Sequence, residues 1–145
     1  MSGREFLQVA KKLSRSKGEA SLRSAISRAY YALFNVASQY LGELGFTVEK
    51  GPGGHGHMHY RLSNSGVEQM IKFSQVLNAM RRQRNNADYD MNAKDFQNQT
   101  TCALWIARAE LAVTLLDKCD KEPLRSQVRA GIRDYDAKTG KKGAP

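Results

Sequence analysis

Apolar residues recur along this chain at helical spacing, and no stretch alternates as a strand would. From Glu19 to Leu44 they fall at Leu22, Ile26, Ala29, Tyr30, Leu33, Ala37, Leu41 and Leu44, the spacing of one helix face. Phe34 and Tyr40 widen that stripe, and Gly45 follows as a terminating residue. So wide a band predicts the central column of a helical bundle. A shorter amphipathic helix is expected before it, from Gly3 to Ser16, with Phe6, Leu7, Ala10 and Leu13 on one face. After Asn64 or Ser65 as a cap, a third pattern runs from Val67 to Asn86 through Met70, Ile71, Phe73, Leu77 and Met80. The last long helix is expected to start at Asn92 or Asp95 and reach Cys119. It should bury Phe96, Ala103, Leu104, Ala107, Leu111 and Leu115, with Trp105 on a flank.

Between these patterns, Phe46 to His57 is expected to be irregular, since Gly51-Pro52-Gly53-Gly54-His55-Gly56 has a density of glycine that favours loops. A short helical piece is expected at His57–Leu62. Beyond Pro123, Leu124, Val128 and Ile132 sit four apart and allow one short helix, after which residues 136–145 lack an apolar anchor and should fray. The fold class predicted is therefore all-α, an up-and-down bundle of four main helices with short extra ones over residues 1–119, and a basic tail over 120–145.

A chain of 145 residues is one domain by length. No apolar run reaches membrane-spanning length and the start carries no signal-peptide core, which reads as a cytoplasmic chain with no membrane partner. Cys102 and Cys119 lie far apart on a predicted helix and read as buried thiols. The net charge of +9 is uneven: residues 1–28 hold seven basic and two acidic side chains, and residues 29–119 nine and eight. A basic periphery around a neutral middle fits a polyanionic partner such as RNA, and equally fits solubility alone.

The most informative stretch is Met80-Arg81-Arg82-Gln83-Arg84-Asn85-Asn86-Ala87-Asp88-Tyr89-Asp90. Stepping back from Arg84 by sevens gives Leu77 and Met70, so Arg84 continues a stripe that is apolar before it. A guanidinium keeps its proton, so one facing inward needs an acidic partner, a phosphate or water. The structural reading pairs Arg84 with Asp88 or Asp90; the functional reading gives it an anionic ligand.

Two segments resemble HEPN domains. Ser27-Arg28-Ala29-Tyr30-Tyr31-Ala32-Leu33-Phe34 resembles the helix segment of that family with an arginine, a tyrosine pair, an alanine and an aromatic. Arg84-Asn85-Asn86-Ala87-Asp88-Tyr89 resembles the Arg-x-x-Ala-Asp-Tyr motif at the end of a later helix. The resemblance spans roughly residues 4–118. It implies an all-α homodimer with the arginine motifs of two subunits facing across a cleft. Many HEPN proteins are metal-independent ribonucleases, including toxins encoded beside a nucleotidyltransferase-type antitoxin. By that resemblance Arg84, supported by Asn85 and Tyr89, would sit on a scissile phosphate. Arg28 and Tyr31 are expected to face the same cleft, and Arg81, Asp88 and His59 complete the expected ligand-binding set. The partners implied are RNA or a nucleotide, a second copy of the chain and such an antitoxin; no cofactor is implied.

The chain departs from the ribonuclease motif, in which a histidine follows the arginine after four to six residues. Here the positions five, six and seven after Arg84 are Tyr89, Asp90 and Met91. RNA cleavage by its own 2′-hydroxyl needs a base, an acid and positive charge on the phosphorane. An imidazole serves either proton step near neutrality, whereas a phenol with a reference pKa of about 10 is a poor base there. All three histidines, His55, His57 and His59, fall in the glycine-rich stretch. Alternate histidines can chelate a transition metal, but no cysteine or carboxylate stands at ligand spacing, and the plainer reading is a surface loop or one histidine folded against the bundle as a polar cap. His59, at the start of the helical piece, is the one expected to reach the arginine site. Two classes of function follow: an RNA-directed protein of the toxin kind, or a non-catalytic module that binds a nucleotide, an RNA or a partner protein.

Overall fold

The computed structural model describes residues 2–140 and is all-helical, with six α-helices and one 3₁₀ turn among those residues. In order these are α1 (Gly3–Ser14), α2 (Glu19–Glu43), α3 (Pro52–Ser63), α4 (Glu68–Tyr89), the 3₁₀ turn Asp95–Gln97, α5 (Gln99–Cys119) and α6 (Leu124–Thr139). The four-helix count is thus corrected, because the glycine-rich segment and the C-terminal stretch each form a full helix. No helix among the described residues is long and apolar enough to cross a membrane. The contacts gather into two compact units. One comprises the described residues up to Val36 with Val76–Ala112, and the other Ala37–Gln75 with the described residues from Val113 on.

In the first unit, Ser2 caps α1: its Oγ accepts from the Arg4 amide at 3.2 Å while Glu5 accepts from the Ser2 amide at 2.8 Å, the reciprocal pair of a capping box. A side chain at Gly3 would press on Asn35 and the backbone of α2, so its glycine permits α1 to approach closely. Lys11 pairs with Glu110 of α5 at 3.1 Å, and the Gln99 amide donates to the Ser14 carbonyl at 3.2 Å. Leu22, Ile26, Ala29, Tyr30 and Leu33 of α2 are all buried, as their spacing predicts.

The stripe of α5 is corrected. Cys102, Ile106, Ala109 and Ala112 are buried in this unit, whereas Leu104 and Leu111 are 62% and 66% exposed, and Ala103 and Ala107 are exposed too. The helix is apolar around most of its circumference, so two stripes compete at equal spacing, and the backbone direction rather than the pattern selects between them.

In the second unit α3 packs against α6. Three glycines lie inside α3, contrary to the loop expected there. Gly54 meets the Glu49 carbonyl so closely that a Cβ would overlap it, and Met58, Arg61 and Leu62 bury one face of the helix. The expected fraying from residue 136 is corrected as well, for α6 continues to Thr139 with Val128, Ile132 and Asp136 buried. Arg61 explains the anchor. Its Nε and Nη2 donate to the two carboxylate oxygens of Asp136 at 3.2 and 3.1 Å, and its Nη1 donates to the Thr47 carbonyl at 2.7 Å. Residues 141–145 lie outside the described residues. Tyr40 donates to the Cys119 carbonyl at 2.8 Å, and both cysteines are buried free thiols, which burial pushes up to about 11.

Gly131 of α6 is the tightest point, since a Cβ there would fall inside the radius of the Ser65 carbonyl. Alanine would ordinarily improve a helix interior by about 1 kcal/mol over glycine. Here overlap with backbone reverses the sign: Gly131→Ala is expected to destabilise by about 1–3 kcal/mol in denaturant unfolding. A gain in stability would mean that α6 stands further from Ser65.

Candidate functional site

The arginine site lies within the first unit. Four residues apart on one edge of α2 stand Arg23, Ser27 and Tyr31, and each meets the last turns of α4. Moving up α2 from Arg23 to Tyr31, the partners move down α4 from Asp90 to Arg84, so the two helices run antiparallel here. The stripe of α4 stays buried through Leu77, Met80 and Ala87, which carries Arg84 to its partly buried position with 19% of the side chain exposed.

Arg84 is held from several sides. Its Nη2 donates to the Tyr31 hydroxyl at 2.6 Å and its Nη1 to Asn85 Oδ1 at 3.0 Å. Its Nε lies 3.0 Å from Asp88 Oδ2, an ion pair that is not aligned as a hydrogen bond, so this buried N–H has no directed acceptor. The guanidinium also rests against two aromatic rings, 5.1 Å from the Tyr31 centroid and 5.5 Å from that of Tyr89. Ser27 donates to Asp88 Oδ2 at 3.2 Å. Of the two acidic partners left open by the sequence, Asp88 is the one that pairs, one helical turn on from Arg84.

Sequence reasoning missed Arg23. Its side chain is buried, and its guanidinium donates to the carbonyls of Asn86, Ala87, Asp90, Met91 and Ala93 at 2.8–3.3 Å. Its Nε donates to Glu19 at 3.0 Å, and the group lies over Phe96 at 4.8 Å. This cation closes the C-terminal end of α4, where unpaired carbonyls and the negative end of the helix dipole gather. The one available signal was the spacing of Arg23, Ser27 and Tyr31, which puts three polar groups on the edge of an apolar stripe. The backbone acceptors themselves leave no trace in sequence.

The expected residues thus divide. Arg84, Asn85, Asp88, Tyr31 and Tyr89 come together. Arg81 is half-buried, and its charge acts on Tyr30, whose phenol burial raises beyond the ordinary tyrosine range against that charge. Tyr30 is a core residue, 1% exposed. Arg28 is exposed and lies over the Phe6 ring of α1 at 5.7 Å, so it joins α1 and not the Arg84 cluster. His59 belongs to α3 in the second unit, with its ring 5.5 Å from that of Tyr60.

Helix α3 turns His57 away from His55 and His59, because residues two apart do not share a helix face, whereas His55 and His59 stand one turn apart. His57 is buried with Nδ1 3.5 Å from Glu49 Oε1, so the segment is no surface loop, and of the two plainer readings the one with a histidine folded inward fits. Among the described residues no group of three or more His, Cys, Asp or Glu is placed to hold a metal.

Chemically, the cluster presents a fixed positive group, two phenols, an amide and a carboxylate. The sequence of the first unit contains no histidine. No family model matches the sequence, and no characterised protein and no solved structure matches the chain.

Proposed function

We propose that this is a HEPN-type protein that binds RNA or a nucleotide through Arg84, with Tyr31, Asn85, Asp88 and Tyr89 around it. One observation carries the reading: Arg84 is fixed by flanking tyrosines, yet its Nε–H has no directed acceptor among the described residues, only the misaligned Asp88 carboxylate. A phosphate oxygen is the acceptor that suits a planar guanidinium fork. The Asp88 carboxylate, 30% exposed and misaligned, holds the group in place without saturating it.

Binding is favoured over cleavage. A ribonuclease of the toxin–antitoxin kind needs a proton acceptor matched to neutral pH, and the cluster offers phenols and a paired carboxylate but no imidazole. A symmetric pair of chains belongs to the same proposal. Leu104 and Leu111, seven residues apart on α5, form an exposed apolar stripe of the kind that a second copy covers.

The test is fluorescence anisotropy with a labelled single-stranded RNA. Arg84→Ala is expected to weaken binding about tenfold or more, the worth of a charge-assisted contact. Arg82→Ala is the control, because Arg82 is exposed, and should change affinity far less. Equal effects of the two substitutions would reduce Arg84 to one cation of a diffuse field, and the proposal would fail. Incubation of the same RNA with the wild-type protein reads cleavage directly, and an intact strand is expected.

A further inference from the structure

We infer that the Arg84 site takes an unpaired nucleotide, with the base stacked on Tyr89 and the phosphate of the same nucleotide on Arg84. This rests on the reading of Arg84 as an anion site and goes further by naming what lies next to the anion. Tyr89 is the last residue of α4, and 72% of it is exposed while the guanidinium of Arg84 lies 5.5 Å from its ring centroid. The guanidinium rests against the ring, and with 72% of the residue exposed a phosphate partner and a stacking surface stand within the span of one nucleotide. Met91, two residues on in the chain, is 64% exposed as well.

The ring stands on a rigid base. Arg23 binds the carbonyls of Ala87 and Asp90, on either side of Tyr89, and Ser27 holds Asp88 from α2. Such bracing keeps the platform in place before a ligand arrives, so that little ordering is required on binding. Asn85 adds direction. Its Oδ1 is taken by Arg84, which leaves the amide nitrogen as a donor for an acceptor on base or phosphate.

Stacking on a tyrosine requires a base face that is not already covered. In a duplex both faces are covered by neighbours, so the site selects a nucleotide outside a helix, in a single strand or free in solution. The preference among bases is expected to be slight, since every base offers a π-face.

The experiment compares four probes by anisotropy or competition: a single-stranded oligoadenylate, an abasic phosphodiester strand of the same length, an RNA duplex and adenosine monophosphate. The wild-type chain should bind oligoadenylate about tenfold more tightly than the abasic strand, the worth of one stacked base, and the duplex should compete poorly. Tyr89→Ala should erase the difference between oligoadenylate and the abasic strand, with oligoadenylate losing about tenfold more affinity than the abasic strand. Tyr89→Phe, which keeps the ring, should preserve it. Competition by the monophosphate at comparable affinity would identify a free nucleotide as the ligand, and poor competition would identify a strand.

If the difference survives in Tyr89→Ala, or if the duplex binds as well as the single strand, the stacking inference is overturned while the anion site stands. If Arg84→Ala leaves the affinity for the abasic strand unchanged, or if no probe binds, the anion site itself is wrong and the inference falls with it.

Discussion

Replacing Asp136 with alanine is expected to destabilise the protein by about 3–5 kcal/mol, because it strands the charge of Arg61 in the interior. Arg61 is 1% exposed, and Asp136 supplies both oxygens of a bidentate pair. A guanidinium cannot escape by losing its proton, so the cost is not softened by a pKa shift. The Thr47 carbonyl and the Phe46 ring, 5.3 Å from the guanidinium, remain as partners but carry no opposite charge. Urea unfolding of Asp136→Ala measures the loss. The double substitution Arg61→Met with Asp136→Leu should recover much of it, since apolar groups of similar volume replace a buried pair at little cost. A small effect of the single change would mean that α6 is detachable beyond Ile132, as the thinning apolar pattern alone suggests.

The second large effect is expected at Arg23. Arg23→Met keeps the unbranched stem and removes the guanidinium, leaving five carbonyls around the end of α4 without their shared donor. Water can reach some of these, so the loss should be about 2–4 kcal/mol rather than the sum of the bonds. The substitution should also weaken binding at the Arg84 site, since it frees the turn that carries Asp88 and Tyr89. Chemical denaturation gives the first quantity, and anisotropy at low temperature, where the variant stays folded, gives the second. Wild-type stability in Arg23→Met would show that the turn is held by its own hydrogen bonds.

These two arginines show where the sequence was legible and where it was not. The stripes of α2 and α4 could be read because each helix has one apolar face bounded by polar residues. Following the α4 stripe by sevens led to Arg84 and left Asp88 and Asp90 both open as its partner; the fold selects Asp88, one helical turn on. In α5 the same reasoning chose Leu104 and Leu111, which face solvent, because Cys102, Ile106 and Ala109 form an equally regular stripe. The glycines of α3 read as a loop because glycine lowers helix propensity. At Gly54 the missing side chain instead permits contact with the Glu49 carbonyl, a tertiary reason that propensity does not contain. Asp136 read as solvated because its partner lies 75 residues away, and Arg23 read as ordinary because its partners are backbone atoms. Contacts of this kind have no periodicity.

The central claim, that Arg84 serves a phosphate rather than the fold, is tested most directly by the salt dependence of single-stranded RNA binding in Arg84→Ala, measured beside its unfolding free energy. Losing one phosphate contact should make the slope of log K against log salt shallower by about 0.7. Because the pair with Asp88 is partly exposed and misaligned, stability should fall by only about 1 kcal/mol. The opposite pattern, an unchanged slope and affinity with a loss of several kcal/mol in stability, would make Arg84 a brace between α2 and α4 and would contradict the account.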